Sequence, residues 1–199
     1  MRPTTPYARL SRYARALLRP EFSSLRTAGE VWYEEARILL DDIRYVARGL
    51  NRPYLDSAFA AANIVAVLSP GVSWSMQRAR TTAFVRKTLL GDAPSYPGYS
   101  ANVAKARALI HGEAATVSGP KVIAFRDALF GDRYSVTLDR HALTAATGRV
   151  RPKWMPSQSE RATILSAYRR AAALCGMNPR NFQAAVWLLT RVTGAYARG

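Results

Sequence analysis

The stretch Ala115-Thr-Val-Ser-Gly-Pro-Lys-Val-Ile-Ala-Phe-Arg-Asp-Ala-Leu-Phe-Gly-Asp-Arg-Tyr-Ser-Val-Thr-Leu-Asp-Arg-His-Ala-Leu143 reads as two helices, one opening at Pro120 and one at Asp139, each preceded by a turn. Ser118-Gly119 makes a tight turn. Pro120 then starts a helix, because a proline in the first turn lacks only an N–H that would have no partner there. The free N–H groups of such a helix start, at the positive end of its dipole, form a phosphate site. Lys121 falls in that first turn, where the dipole disfavours an added cation. A partly neutral amine is a competent nucleophile. The helix closes at Gly131, and a short connection leads to Asp139, which is placed to cap the next helix. Its carboxylate is expected near the same site.

Outward from this stretch the same period continues. Apolar residues at i, i+3, i+4 and i+7 dominate, and clean alternation never exceeds four or five residues, so the fold is expected to be all-α. Helices are expected near residues 6–19, 29–48, 53–68, 74–90, 100–111, 120–130, 139–147, 157–175 and 179–196. Several ends carry their own signals. Ser157 with Glu160 forms a capping box, Gly176 sits at a helix C-cap, and Asn178 before Pro179 is an N-cap followed by a first-turn proline. The breaker-rich Gly91–Gly98 and the segment Gly148–Pro156 are expected as loops. Trp32, Tyr33, Trp74, Phe84, Trp187 and Leu188 are expected in the core, and no internal repeat is present.

The chain has 199 residues, 49% of them hydrophobic, enough to bury a core. The formal charge is +16, from 29 Lys and Arg against 13 Asp and Glu. That excess points to a polyanionic partner, nucleic acid before an anionic membrane surface. The single Cys175 excludes an internal disulfide and any four-cysteine zinc or iron–sulfur site, and it fits a reducing compartment. Apolar stretches such as Ala58–Leu68 fall short of the roughly 20 residues that span a bilayer, so no membrane helix is expected. Residues 1–27 carry Arg2, Arg9, Arg12, Arg15 and Arg19 ahead of the first acidic residue, with Leu10, Tyr13 and Leu17 at helical spacing. They are expected as a basic arm or docked helix before a single domain over 28–199, a transit peptide being the other reading of such a pattern.

The stretch from 115 to 143 resembles the hairpin, Gly/Pro and Asp segment of the HhH-GPD superfamily, the endonuclease-III-like base-excision DNA glycosylases. The interval 139 − 121 = 18 positions matches the family's spacing between its Lys and its Asp, and Leu138-Asp139-Arg140-His141 is similar to its apolar-Asp-x-His signature. Ile64–Gln77 and Tyr99–Ile110 resemble upstream segments of the same family, so that the likeness covers roughly residues 55–145. There are departures. Val117 stands where the first hairpin glycine falls, the stretch before the hairpin is short, the iron–sulfur cysteines are missing, and Pro70 and Gly71 occupy the loop from which many relatives insert a Gln.

The resemblance implies a helix-hairpin-helix DNA glycosylase that flips a damaged, mismatched or modified base out of duplex DNA and breaks its glycosidic bond. Asp139 would stabilise the cationic sugar; capping a helix is its structural role. Lys121 would form a Schiff base with the sugar and add abasic-site lyase activity, the competing role being a phosphate contact. Val117, Ser118 and Gly119 would offer hairpin backbone to a phosphate. Tyr96 and Tyr99 are wedge or stacking candidates, with plain packing as the alternative. Arg149, Arg151 and Lys153, beside Trp154, form a basic loop suited to a nucleic-acid backbone. His111 and His141 lack metal-ligand company, and neither metal nor cofactor is expected. The expected partner is double-stranded DNA, met by a monomer in the cytoplasm. Two other functions fit the same residues: action on the hypermodified bases of viral DNA, and a non-catalytic basic DNA-binding module.

Overall fold

Helical spacing is realised as nine α-helices, without strands, among the residues that the computed structural model describes: 5–114, 116–149 and 156–194. They are α1 (Pro6–Leu17), α2 (Ser23–Gly49), α3 (Ala58–Leu68), α4 (Trp74–Leu89), α5 (Ser100–His111), α6 (Pro120–Phe130), α7 (Arg140–Thr147), α8 (Gln158–Leu174) and α9 (Pro179–Thr193). The fold is all-α, as expected. Two boundaries differ from the expected ones. α2 begins at Ser23 instead of near 29, because the turn Pro20–Phe22 delivers the chain directly into it. The helix expected over 53–68 breaks after Pro53–Leu55, and Ser57 caps a fresh start by accepting from the Ala60 N–H at 3.0 Å.

The chain divides into two compact units, Met1–Tyr33 with Asp132–Gly199, and Glu34–Gly131. The division falls inside α2. A helix of 27 residues carries no loop or composition change at that point, so nothing local marks it.

In the first unit, α1 lays Leu10, Ala14 and Leu17 against α7 and α8. This spacing of four and three puts all three on one stripe. Burying each leucine contributes about 1.5–3 kcal/mol, which makes α1 part of the core and not an appendage. Tyr168 and Phe182 meet edge to face in the centre, at 6.0 Å between ring centroids. Gly29 of α2 lies directly against Ala185 of α9, where a Cβ would collide with the Ala185 backbone.

The second unit is built round α3. Residues 61–68 of that helix are buried without a break, the mark of a helix covered on all sides. α4, α5 and α6 pack against it. The buried Gln77 side chain of α4 donates from Nε2 to the Val65 carbonyl of α3. No described helix is long and apolar enough to cross a membrane.

Candidate functional site

In the second unit the connection from α5 to α6 has a glycine near each end. Gly112 closes α5 in the left-handed conformation (φ +78°), and Gly119 precedes Pro120 at φ +91°. A Cβ on Gly119 would meet nothing within 4 Å, so backbone conformation and not crowding calls for glycine there. Val117, which stands where the first hairpin glycine of the resembled family falls, is 4% exposed and anchors this connection to the core by its side chain. Ser118 and Gly119 are exposed.

Three cations attend this turn. Lys105 of α5 donates from Nζ to the Ser118 hydroxyl at 2.6 Å. Arg126 of α6 donates to Thr116 Oγ1 at 3.0 Å, stays against Asp127 at 2.6 Å and covers the Phe59 ring at 4.8 Å. Lys121 is half-buried in the first turn of α6, where the leading N–H groups have no partner within the helix. Nothing in the sequence marks Lys105 or Arg126. They lie 13 and 10 positions from their partners, beyond the reach of a local pattern.

Asp139 belongs to the first unit and caps α7, as expected, its carboxylate accepting from the Ala142 N–H at 2.7 Å. The side chain is half-buried. The segment before it is clamped from α9. Gln183 accepts from the Thr137 N–H at 2.8 Å and donates to the Thr137 carbonyl at 2.7 Å, and that carbonyl also accepts from the Asp139 N–H at 2.8 Å. From α8 the buried Tyr168 hydroxyl donates to the Ala142 carbonyl at 3.0 Å. The cap is thus fixed from two helices distant in sequence.

Beneath it sit Tyr33 and Arg180, 3% and 2% exposed, with the guanidinium 4.8 Å from the tyrosine ring centroid. Burial pushes the Tyr33 phenol far above its ordinary range. The Thr137 side chain and the Arg180 charge oppose that shift, and the Asp139 charge adds to it. Arg180 also donates from Nε to Asn181 Oδ1 at 3.2 Å, and Asn181 Nδ2 reaches the Glu30 carbonyl at 3.0 Å. Asp139 therefore stands over a buried polar layer.

The other candidates are dispersed. Tyr96 is not available to a duplex: it is 9% exposed, its hydroxyl 2.8 Å from Thr81 Oγ1 and its ring 5.1 Å from that of Phe84. A tyrosine beside breakers can point inward when a buried hydroxyl awaits it. Tyr99 is 63% exposed and lies over Gly71, whose Cβ would come within 3.3 Å of the ring. Arg149 is exposed directly after the α7 C-cap, while Arg151 and Lys153 lie outside the described residues. Among the described residues no three His, Cys, Asp or Glu side chains group as metal ligands.

A family model, "Family of unknown function (DUF7178)", matches residues 21–194. The chain belongs to this family. No curated protein and no solved structure matches it. The match to DUF7178 runs from the start of α2 through α9 and includes the α5–α6 connection and Asp139; α1 precedes it.

In this DUF7178 member charge is distributed unevenly. The first unit carries 17 Lys and Arg against 5 acidic residues, a net +12, and the second 12 against 8, a net +4. The five carboxylates of the first unit are engaged locally. Glu21 and Glu30 meet Arg19 and Arg26, Asp132 accepts from the Tyr134 N–H, and Asp139 and Glu160 cap helices. Arg12, Arg15, Arg169 and Arg170 are exposed and have no carboxylate partner among the described residues. Uncompensated charge of this kind attracts a polyanion.

Proposed function

We propose that this protein binds duplex DNA and excises a damaged, mismatched or modified base, with Asp139 at the chemical centre and Lys121 adding abasic-site cleavage. One observation carries the proposal. Gly119 and Pro120 stand exposed at the opening of α6 with Lys121 half-buried in its first turn, and the later Asp139 caps α7 just after a Thr137 backbone clamped by Gln183.

The phosphate backbone would be met by the exposed turn at Ser118 and Gly119 and by the cations of the first unit. Extruding the target nucleotide costs a few kcal/mol. As the glycosidic bond breaks, its electron pair leaves with the base, which takes up a proton, and positive charge grows on the sugar. A fixed carboxylate would stabilise that charge, and the ties of the Asp139 turn to α8 and α9 support Asp139 in this role. Attack by the Lys121 amine on the anomeric carbon would form a C–N bond as the base leaves. Loss of the amine proton and opening of the C1′–O4′ ring bond, with a proton taken up on O4′, would give an iminium, and removal of a C2′ proton would then expel the 3′ phosphate. Attack by water would leave an abasic site. The protein is proposed to act as a monomer in the cytoplasm.

Incubation with duplexes carrying different lesions or modified bases, with borohydride present, tests both steps. A released base and, for the wild type only, a trapped adduct that Lys121→Ala fails to form are the expected results. No released base from any duplex would overturn the glycosylase proposal; release without a trapped adduct would overturn the lyase step alone.

A further inference from the structure

An open groove of about 520 Å³ lies wholly within the first unit, between the start of α1 and the outer side of α8. It is lined from α1 and its cap by Thr5, Pro6 and Tyr7, and from α8 by Ala162, Thr163, Ser166, Ala167 and Arg170. The Arg170 guanidinium lies 4.0 Å from the Tyr7 ring centroid. A guanidinium resting over a ring keeps its N–H donors, which can serve two oxygens of one phosphate. Arg170 is exposed and no carboxylate among the described residues pairs with it, so those donors are left to solvent or a ligand. Ser166, one helical turn before Arg170 on α8, adds a hydroxyl to the same lining. The surrounding unit has 17 cations against 5 carboxylates, which selects an anion as the occupant.

We propose that this groove is a phosphate-binding site for the nucleic-acid backbone, with Arg170, resting over Tyr7, as its cation and Ser166 as a second donor. The site lies on a different unit from the turn at Gly119. It rests on the DNA-binding part of the proposed function, and it gives the basic first unit a defined contact in place of diffuse attraction.

The test is the salt dependence of binding to a fluorescent undamaged duplex, compared for the wild type, Arg170→Ala, Arg170→Lys and Tyr7→Leu. Loss of one phosphate contact lowers the slope of log affinity against log salt by about 0.9. Arg170→Ala is expected to show that drop with affinity weaker by roughly three- to tenfold at moderate salt. Arg170→Lys and Tyr7→Leu should fall in between, because they keep the charge and lose the fork or the ring it rests over. Thermal melting of each variant, expected unchanged for the exposed Arg170, separates misfolding from lost contact. An unchanged slope for Arg170→Ala while the wild type binds duplex would overturn the groove and leave the DNA reading intact. A wild type that does not bind duplex at low salt would overturn both. Equal competition by polyglutamate and by phosphodiester would also overturn the site, since it would mean that charge alone is recognised; competition by free inorganic phosphate at constant ionic strength, matching that by the duplex, would assign the groove to a free anion instead of a backbone.

Discussion

Gln183 pairs its side-chain amide with both backbone groups of Thr137, two residues ahead of Asp139, so a helix 46 positions downstream sets the approach to the candidate catalytic carboxylate. Each bond is worth on the order of 1 kcal/mol, and unpaired partners cost more. Gln183→Leu is therefore expected to lower stability by about 2 kcal/mol in urea denaturation. Gln183→Glu keeps an acceptor for the Thr137 N–H but turns an oxygen toward its carbonyl, so it should be destabilising as well. Equal stability of Gln183→Leu and wild type would show that the clamp does not hold the turn.

Gly119 has a φ of +91° and open space where a Cβ would stand. Gly119→Ala is expected to cost about 1 to 3 kcal/mol through backbone strain alone. Duplex binding should weaken with it, because the turn has to relax away from its exposed geometry. Calorimetric melting and anisotropy titration check the two effects; a fully stable Gly119→Ala would mean that the turn adopts another backbone path.

Three phenols resist ionisation. Burial raises Tyr33, Tyr96 and Tyr13, against opposing help from Thr137 and Arg180, from Thr81 and Arg80, and from Arg9, respectively. The folded chain keeps these protons at a pH where the unfolded chain, with tyrosines near 10, has lost them. The unfolded state then binds fewer protons, so stability is fully present below about pH 10 and falls as pH rises past it. Urea midpoints from neutral pH to about pH 11 should show the fall, less steep in Tyr33→Phe. A flat profile would contradict the burial of Tyr33.

Cys175 is buried, and burial raises its thiol, opposed by the Met177 backbone N–H and by Arg26. Native protein should therefore react with a thiol reagent far more slowly than protein in denaturant. Comparable rates in both would place the thiol at the surface.

What could be read in advance was local. The capping box of Ser157 and Glu160, the Asn178-Pro179 start, the Asp139 cap and the glycine at 119 each depend on neighbours within four positions, and each is found. What could not be read was contact across sequence. Lys105 meets Ser118 and Gln183 meets Thr137 only once helices pack, Tyr96 turns inward toward a hydroxyl 15 positions away, and the division into units falls inside an uninterrupted helix. The Lys121 to Asp139 interval was legible as a spacing; the structure adds that the two belong to different units, Asp139 over a buried layer of Tyr33 and Arg180 that no pattern announces.

The carboxylate of Asp139 has a structural role and a proposed chemical one, and asparagine separates them, because Asn and Asp cap helices about equally well. The decisive measurement is single-turnover base release by Asp139→Asn beside the wild type, on the duplex that the wild type processes. Melting temperature and duplex affinity should stay within a few tenths of a kcal/mol of wild type, while base release is lost by at least about a hundredfold. Base release by Asp139→Asn at the wild-type rate, with binding intact, would contradict a catalytic Asp139 and leave it as a helix cap.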